Sequence, residues 1–120
     1  MKYMLMIYNN PTVIAEMSED DRTALFGTVD RIMAELTESG ELVGGEPLAD
    51  ASTATTVRIR GGVQDATDGP YAEAKEQLAG YLMVECDTQE RAVEIAASWP
   101  DAQYGAMEVR AVLDPTGMEM

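Results

Sequence analysis

The chain of 120 residues contains no histidine, a single cysteine and one tryptophan. Without histidine, the Ser-His-Asp and Cys-His catalytic arrangements and His-containing metal triads are excluded. Cys86 alone cannot form an internal disulfide or a cysteine-rich metal site, and a lone cysteine is typical of a protein in the reducing cytoplasm. The sequence also lacks GxGxxG, Walker and CxxC motifs. We therefore expect a cytoplasmic protein with no metal and no other cofactor.

Basic residues are scarce as well: the chain has 8 lysines and arginines but 22 acidic residues, which gives a formal net charge of −14. Nucleic-acid binding needs basic side chains that neutralise phosphates, so no nucleic-acid partner is expected. The N-terminal apolar run, residues 3–8, is too short to span a bilayer and lacks a small-residue cleavage pattern. We therefore expect a protein that is neither membrane-anchored nor secreted.

Two helices are predicted from capping residues and apolar spacing. The first begins after Ser18 as its N-cap, carries apolar side chains at helical spacing, and ends at Gly40. The second begins after Asp87 as its N-cap, with Glu90 completing a capping box, and ends at Pro100. Both helices present one apolar face, as helices packed on a sheet do.

Six segments predict strands, because they are apolar runs or alternate between apolar and polar residues. They are residues 2–8, 41–49, 55–60, 63–67, 78–86 and 105–113. Removing a small hairpin from this order leaves βαββαβ, the ferredoxin-like arrangement. The predicted fold class is therefore α+β, with an inserted β-hairpin and an antiparallel sheet that carries two helices on one face.

Length and composition predict a single domain over residues 1–120, in which residues 114–120 form a frayed tail. Its two helices can cover only one face of the sheet. If alternation holds in each strand, the other face mixes large apolar groups with charges of both signs. Its predicted members are Arg58, Arg60, Tyr81, Met83, Glu85, Glu108 and Arg110.

Two arrangements would make such a face tolerable. In a monomer whose second sheet face is partly exposed to solvent, Arg58 and Arg60 could form ion pairs with Glu85 and Glu108 across the sheet. A second copy packed sheet to sheet would bury the face better, and two-fold self-association is the commonest oligomer. We therefore predict a homodimer.

The segment Thr67-Asp68-Gly69-Pro70-Tyr71 has strong turn chemistry. Gly69 can adopt positive φ, and Pro70 fixes φ near the value that a turn needs. The Asp68 carboxylate has two interpretations. It is either a site group, acting as a general base or ligand anchor, or a structural group that caps the turn through hydrogen bonds to the backbone.

Six segments of the chain resemble the YCII-like, or DGPF, family, and together they extend over nearly its whole length. They are residues 2–8, 17–19, 40–42, 56–58, 67–81 and 105–110. Tyr71 stands where the family usually has phenylalanine. The resemblance implies a dimeric α+β barrel, in which two ferredoxin-like subunits pack their open sheet faces together and each has a cleft. Some relatives look like lyases that use a histidine–aspartate pair on small aromatic substrates, and only the aspartate, Asp68, carries over here.

Four further side chains are candidate ligand-binding groups. Arg58 could bind a carboxylate or enolate oxygen bidentately. Tyr8 and Tyr81 could direct their hydroxyls into a cleft, although such aromatics more often lie in an interface or a core. Glu46 follows two glycines and either faces the cleft or is solvated. The expected ligand is small and anionic or aromatic.

Two functions follow from these features. The favoured one is a non-catalytic dimeric accessory protein or small-ligand-binding module, because a proton-transfer enzyme usually needs a second tuned group and none is evident. The alternative is a small-molecule lyase or isomerase with Asp68 as the general base and Arg58 as the anion clamp. The sequence does not decide whether the protein is an enzyme.

Overall fold

The computed structural model describes residues 1–72 and 74–119 of the chain. These residues form six strands, four helices and one 3₁₀ turn at Ala51–Thr53. The strands are β1 (Lys2–Asn9), β2 (Leu42–Pro47), β3 (Thr55–Arg60), β4 (Val63–Asp68), β5 (Gln77–Glu85) and β6 (Ala106–Ala111). The helices are α1 (Pro11–Ala15), α2 (Glu19–Ser39), α3 (Gln89–Ser98) and α4 (Asp101–Tyr104).

Four of the strands form one antiparallel sheet in the order β2-β5-β1-β6, and β3 pairs with β4 in a separate two-stranded sheet. Without the β3–β4 hairpin, the main elements follow one another as β1, α2, β2, β5, α3 and β6. This is the βαββαβ arrangement of a ferredoxin-like fold. The predicted α+β fold with an inserted hairpin is confirmed.

The hydrophobic core lies between one face of the main sheet and the two long helices. Its buried side chains are Tyr3, Leu5, Ile32, Leu36, Leu82, Val84, Cys86, Ala92, Ile95, Ala96 and Trp99. Leu5 and Val84, on the two central strands, are fully buried. Burying a side chain of this size is worth about 1.5–3 kcal/mol, so these two central strands anchor the fold.

The ends of the long helices follow from local capping. Ser18 caps α2, since its Oγ accepts a hydrogen bond from the Asp21 N–H at 3.0 Å, and Gly40 ends the helix with a φ of +81°. The N-cap predicted for α3 is wrong by one residue: Thr88, not Asp87, precedes the helix. Thr88 has extended backbone angles, and its hydroxyl accepts the N–H three residues further on at 3.2 Å.

Two short helices, α1 and α4, were not predicted. Asn10 caps α1 by accepting the Thr12 N–H at 3.0 Å, and Pro11 occupies the first helical position. Helix α4 starts directly after Pro100, where the sequence only indicated the end of α3. Helices of four or five residues show no apolar periodicity, so the pattern that identifies α2 and α3 cannot reveal them.

The placement of Arg58 and Arg60 on the main sheet is wrong, and so are their predicted ion pairs with Glu85 and Glu108. Both arginines lie on β3, and within residues 1–72 and 74–119 this strand pairs only with β4. The two glycines at 61 and 62 have positive φ, 56° and 78°, and close β3 onto β4 in a tight turn. The place beside β5 that β3 would need is taken by β2.

The hairpin makes the molecule more extended than its length requires. The Cα radius of gyration is 16.4 Å and the overall dimensions are 49 × 45 × 18 Å. A compact domain of this length would have a radius of gyration of about 14 Å. All six residues of β4 are exposed, and so are the apolar side chains Val57 and Ile59 of β3. A substantial part of this chain therefore lies outside its own core.

The segment after β6 forms a turn. Leu113 and Glu119 form an isolated antiparallel bridge, and the Asp114 carboxylate accepts hydrogen bonds from Thr116 and from the Met118 N–H. These hydrogen bonds hold the pKa of Asp114 below its usual value. The expected fraying of residues 114–120 and the single-domain assignment stay predictions. Among the described residues, none of the helices is both long and apolar enough to cross a membrane.

Candidate functional site

A cleft of about 310 Å³ lies between the first half of α2 and the main sheet. The buried residues of α2, Ile32 and Leu36, lie in its second half. The sheet residues that line the opposite wall include the small residues Gly45 and Ala79. The apolar side chains around the cleft are Ile7, Ile14, Leu25, Phe26, Val29, Met33, Leu82 and Trp99. We call this space the α2 cleft.

Asp101 and Asn9 supply polar groups to the α2 cleft. Asn9 is the last residue of β1, and Asp101 is the first residue of α4. The Asn9 Nδ2 donates to Asp101 Oδ2 at 2.8 Å, and Asp101 is only 6% exposed. Among the described residues, no lysine or arginine forms an ion pair with this carboxylate. A buried carboxylate needs donors, so Asp101 can accept a hydrogen bond from an O–H or N–H of a ligand.

A second cavity of about 380 Å³ adjoins the first. Asn9, Ile14 and Ala79 line both, so the two cavities are adjacent. The second cavity is more polar, since Arg22 and Gln77 are among its lining residues. We call it the Arg22 cavity.

The Asp68 carboxylate lies at the end of β4 and is exposed. Within residues 1–72 and 74–119 it accepts no hydrogen bond, so the turn-capping interpretation finds no contact to support it. The turn is held instead by Gly69, whose N–H donates to the Ala54 carbonyl at 2.6 Å and whose carbonyl accepts from Thr56 Oγ1 at 2.8 Å. The positive φ expected of Gly69 is confirmed at 107°.

Arg58 and Asp68 lie on opposite faces of the hairpin. Asp68 is paired with Thr55 and therefore shares a face with Val57, whereas the alternation along β3 places Arg58 on the other side. The Arg58 guanidinium lies 4.9 Å from the centre of the Tyr71 ring, a cation–π contact. The structure therefore does not bring the proposed base and anion clamp together within one chain.

Tyr8, Tyr81 and Glu46 lie together on the open face of the main sheet. Tyr81 is opposite Glu46 in the β5–β2 register, and both residues also border the α2 cleft. The Tyr8 hydroxyl donates to Glu108 Oε1 at 3.0 Å. Burial, and then the bond to this carboxylate, raise the pKa of Tyr8. These three residues remain candidate ligand groups, in a place separate from Asp68.

A second charged cluster joins the end of α2 to α3. Arg91 Nε and Nη2 each donate to Glu41 at 2.8 Å, and Nη1 donates to Glu94 at 3.1 Å. The bonds from Arg91 lower the pKa of Glu41 from 4.5 to about 2, and the same bonds raise the pKa of Arg91. Because every charge in this cluster has a partner, we interpret it as a structural clamp.

Sequence reasoning missed Asn9, Asp101 and Arg22. Asn9 lies two residues before Pro11, and Asp101 directly follows Pro100. At both prolines the sequence indicated only that a strand or a helix ends. Their pairing depends on β1 and α4 meeting at one end of the sheet, which no local pattern encodes. Among the described residues, no cluster of three or more acidic or cysteine side chains is placed to hold a metal ion.

Comparison with known proteins identifies the family. The YCII-related domain model matches residues 1–116, so the chain belongs to the YCII-related family. An uncharacterised protein of Rhizobium meliloti (strain 1021) is 29% identical over 112 residues, which cover 92% of this chain and 90% of that protein.

A solved structure has a similar fold. It is the 5-chloro-2-hydroxyhydroquinone dehydrochlorinase TftG from Burkholderia phenoliruptrix, in complex with 2,5-dihydroxybenzoquinone. The TM-score is 0.52 at 12% sequence identity, with 99% of this chain and 100% of that chain covered. At this identity the likeness shows the fold alone, and it agrees with the α+β architecture described above.

Proposed function

We propose that this protein is a homodimeric, non-catalytic module that binds a small molecule with a ring-sized apolar body in the α2 cleft. The observation that carries the proposal is the cleft itself: about 310 Å³, with largely apolar walls and one buried carboxylate, Asp101. Ligand sites in proteins typically measure about 300–1,000 Å³ and combine apolar walls with a few polar groups. The cleft is at the small end of that range, which suits a single ring.

Binding is favoured over catalysis because the polar groups at the cleft do not form an acid–base pair. Proton-transfer enzymes usually hold two groups in different protonation states. Here Asp101 is bonded to Asn9, whose amide does not titrate. The alternative lyase or isomerase with Asp68 as general base and Arg58 as anion clamp has weaker support, since these residues face opposite sides of the hairpin.

The homodimer part of the proposal rests on the open face of the main sheet. Met4 lies opposite Met83, and Met6 lies opposite Tyr81, at its centre. These four side chains are half-buried, and none of them belongs to the hydrophobic core. The molecule is only 18 Å thick and has an exposed hairpin beside this sheet. A second copy packed on this face would bury the methionines and tyrosine, in the sheet-to-sheet manner common in proteins.

Trp99 provides a direct readout for ligand binding, because it is the single tryptophan of the chain and lines the α2 cleft. We expect hydroquinone, a neutral ring with two hydroxyl donors, to change Trp99 fluorescence saturably. A ligand of this size should bind with a Kd on the order of 0.1–1 mM. TftG binds 2,5-dihydroxybenzoquinone, so that compound is a second ring-sized probe, read by thermal stabilisation.

A cleft-filling variant separates specific binding from adventitious quenching. Val29→Phe places a larger side chain at the cleft wall and should abolish the saturable response. Val93→Phe makes the same change on the outer side of α3, where Val93 is 49% exposed, and should leave the response intact. A native protein without a saturable response, or an unchanged response in Val29→Phe, would refute binding in the cleft.

A further inference from the structure

Within residues 1–72 and 74–119, Arg22 has no carboxylate partner, although acidic residues greatly outnumber basic ones in the sequence. Its Nη2 donates to the Met17 carbonyl at 3.1 Å. Its Nε is buried and, within residues 1–72 and 74–119, has no hydrogen-bond partner. The other arginines of α2 and α3 are paired: Arg31 with Glu35, and Arg91 with Glu41 and Glu94. A buried N–H of a guanidinium without an acceptor costs about 1–3 kcal/mol or more, so such a group calls for an explanation.

The position of Arg22 suggests what the acceptor is. Arg22 lines a cavity of about 380 Å³, and that cavity shares Asn9, Ile14 and Ala79 with the adjacent α2 cleft. A guanidinium binds a carboxylate through several N–H groups at once. A ligand whose ring occupies the α2 cleft could therefore extend a carboxylate to Arg22.

We propose that the ligand is a small carboxylic acid with an aromatic or similarly compact apolar body, and that Arg22 binds its carboxylate. This inference rests on the proposed ligand-binding function and names the class of ligand for the same site. A ring hydroxyl in the α2 cleft would then be a donor for Asp101, the buried carboxylate that lines this cleft. Arg22 and Asp101 thus offer a cation and a hydrogen-bond acceptor to the carboxylate and the hydroxyl of a hydroxylated ring acid.

The acidic side chains near the Arg22 cavity repel a bound anion only weakly. Asp50 also lines this cavity, but it is exposed and its Oδ1 accepts the Ser52 N–H at 2.9 Å. Exposed charges are screened by water and salt, so Asp50 opposes an anion only weakly. The acids of the first turn of α2, Glu19, Asp20 and Asp21, are also exposed and line neither the Arg22 cavity nor the α2 cleft.

The test compares matched acids and amides. Titrations with 4-hydroxybenzoate and 4-hydroxybenzamide, read by Trp99 fluorescence and calorimetry, should show the acid binding about 10-fold or more tightly. Arg22→Gln should reduce this preference to about 2-fold or less, while Arg22→Lys should keep part of it because the charge remains. Arg31→Gln is the matched control, because Arg31 lies on the same helix with 64% of its side chain exposed.

The possible results distinguish a failure of the proposed role of Arg22 from a failure of the proposed binding in the α2 cleft. Equal binding of acid and amide by the native protein overturns the role of Arg22 and leaves the proposed cleft binding in place. An acid preference that persists in Arg22→Gln also overturns the role of Arg22 and leaves the proposed cleft binding in place. Binding of neither compound overturns both proposals. If Arg22→Gln does not fold, the Nε–H signal of Arg22 in the NMR spectrum of the native protein tests the role of Arg22 instead. We expect 4-hydroxybenzoate to shift this signal. An unshifted signal would overturn the inference.

Discussion

Replacing Glu41 by glutamine should weaken the protein at neutral pH but not at strongly acidic pH. Glu41 accepts two hydrogen bonds of 2.8 Å from Arg91, which lower its pKa from 4.5 to about 2. A shift from 4.5 to about 2 corresponds to a ceiling of roughly 3.4 kcal/mol, at about 1.36 kcal/mol per pKa unit. Because the Arg91 side chain is 43% exposed and solvent screens the pair, we expect about 1–2 kcal/mol at pH 7.

The pH dependence has a definite sign. The pKa of Glu41 is lower in the folded protein than in the unfolded chain, so its contribution is fully present above about pH 4.5. The contribution is lost as the pH falls from about 4.5 to about 2. The difference in free energy of unfolding between native protein and Glu41→Gln should therefore shrink toward zero across that window.

Urea denaturation at pH 7, 5, 4, 3 and 2 measures this difference directly. Taking the difference cancels the titration of the other carboxylates, which are common to both proteins. Glu35→Gln is the control: its partner Arg31 is 3.6 Å away, both side chains are more than 60% exposed, and the effect should stay below about 0.5 kcal/mol. A gap between native protein and Glu41→Gln that is absent at pH 7, or independent of pH, would refute the assignment of a strong Glu41–Arg91 pair.

Two further predictions concern the sheet. Gly45→Ala should destabilise the protein by about 1–3 kcal/mol, since the new Cβ would lie 2.6 Å from a backbone carbonyl of β5, whereas Gly44→Ala, with nothing within 4 Å, should change the thermal midpoint little. Comparable midpoints for the two variants would contradict the close β2–β5 packing. In sedimentation equilibrium, Met4→Glu, on the open face, should convert the proposed homodimer to monomer, while Val93→Glu should not. A monomeric native protein at micromolar concentration would refute the proposed homodimer.

Much of the fold could be predicted because its determinants are local. Ser18 and Gly40 mark the ends of α2 through capping and left-handed geometry, which depend only on neighbouring residues. The apolar run of residues 2–8 predicted a strand, and β1 (Lys2–Asn9) covers it. The βαββαβ order then followed from the sequence of elements.

The errors arise where distant parts of the chain compete. Strand β3 alternates better than β2, which two glycines and a proline interrupt, yet β2 rather than β3 pairs with β5, and Arg58 and Arg60 therefore lie outside the main sheet. Similarly, the candidate site depends on α2 standing away from the sheet opposite the small residues Gly45 and Ala79. That spacing is a tertiary property, so the sequence pointed to the turn at Asp68 and missed the cleft.

The most direct test of a ligand site in the α2 cleft is NMR of the protein with hydroquinone bound. We predict intermolecular NOEs from the ring protons of hydroquinone to methyl groups of Leu25, Val29 and Met33, which line the cleft. NOEs confined to the hairpin around Tyr71, or saturating ligand without any NOE to the three methyl-bearing residues, would contradict it.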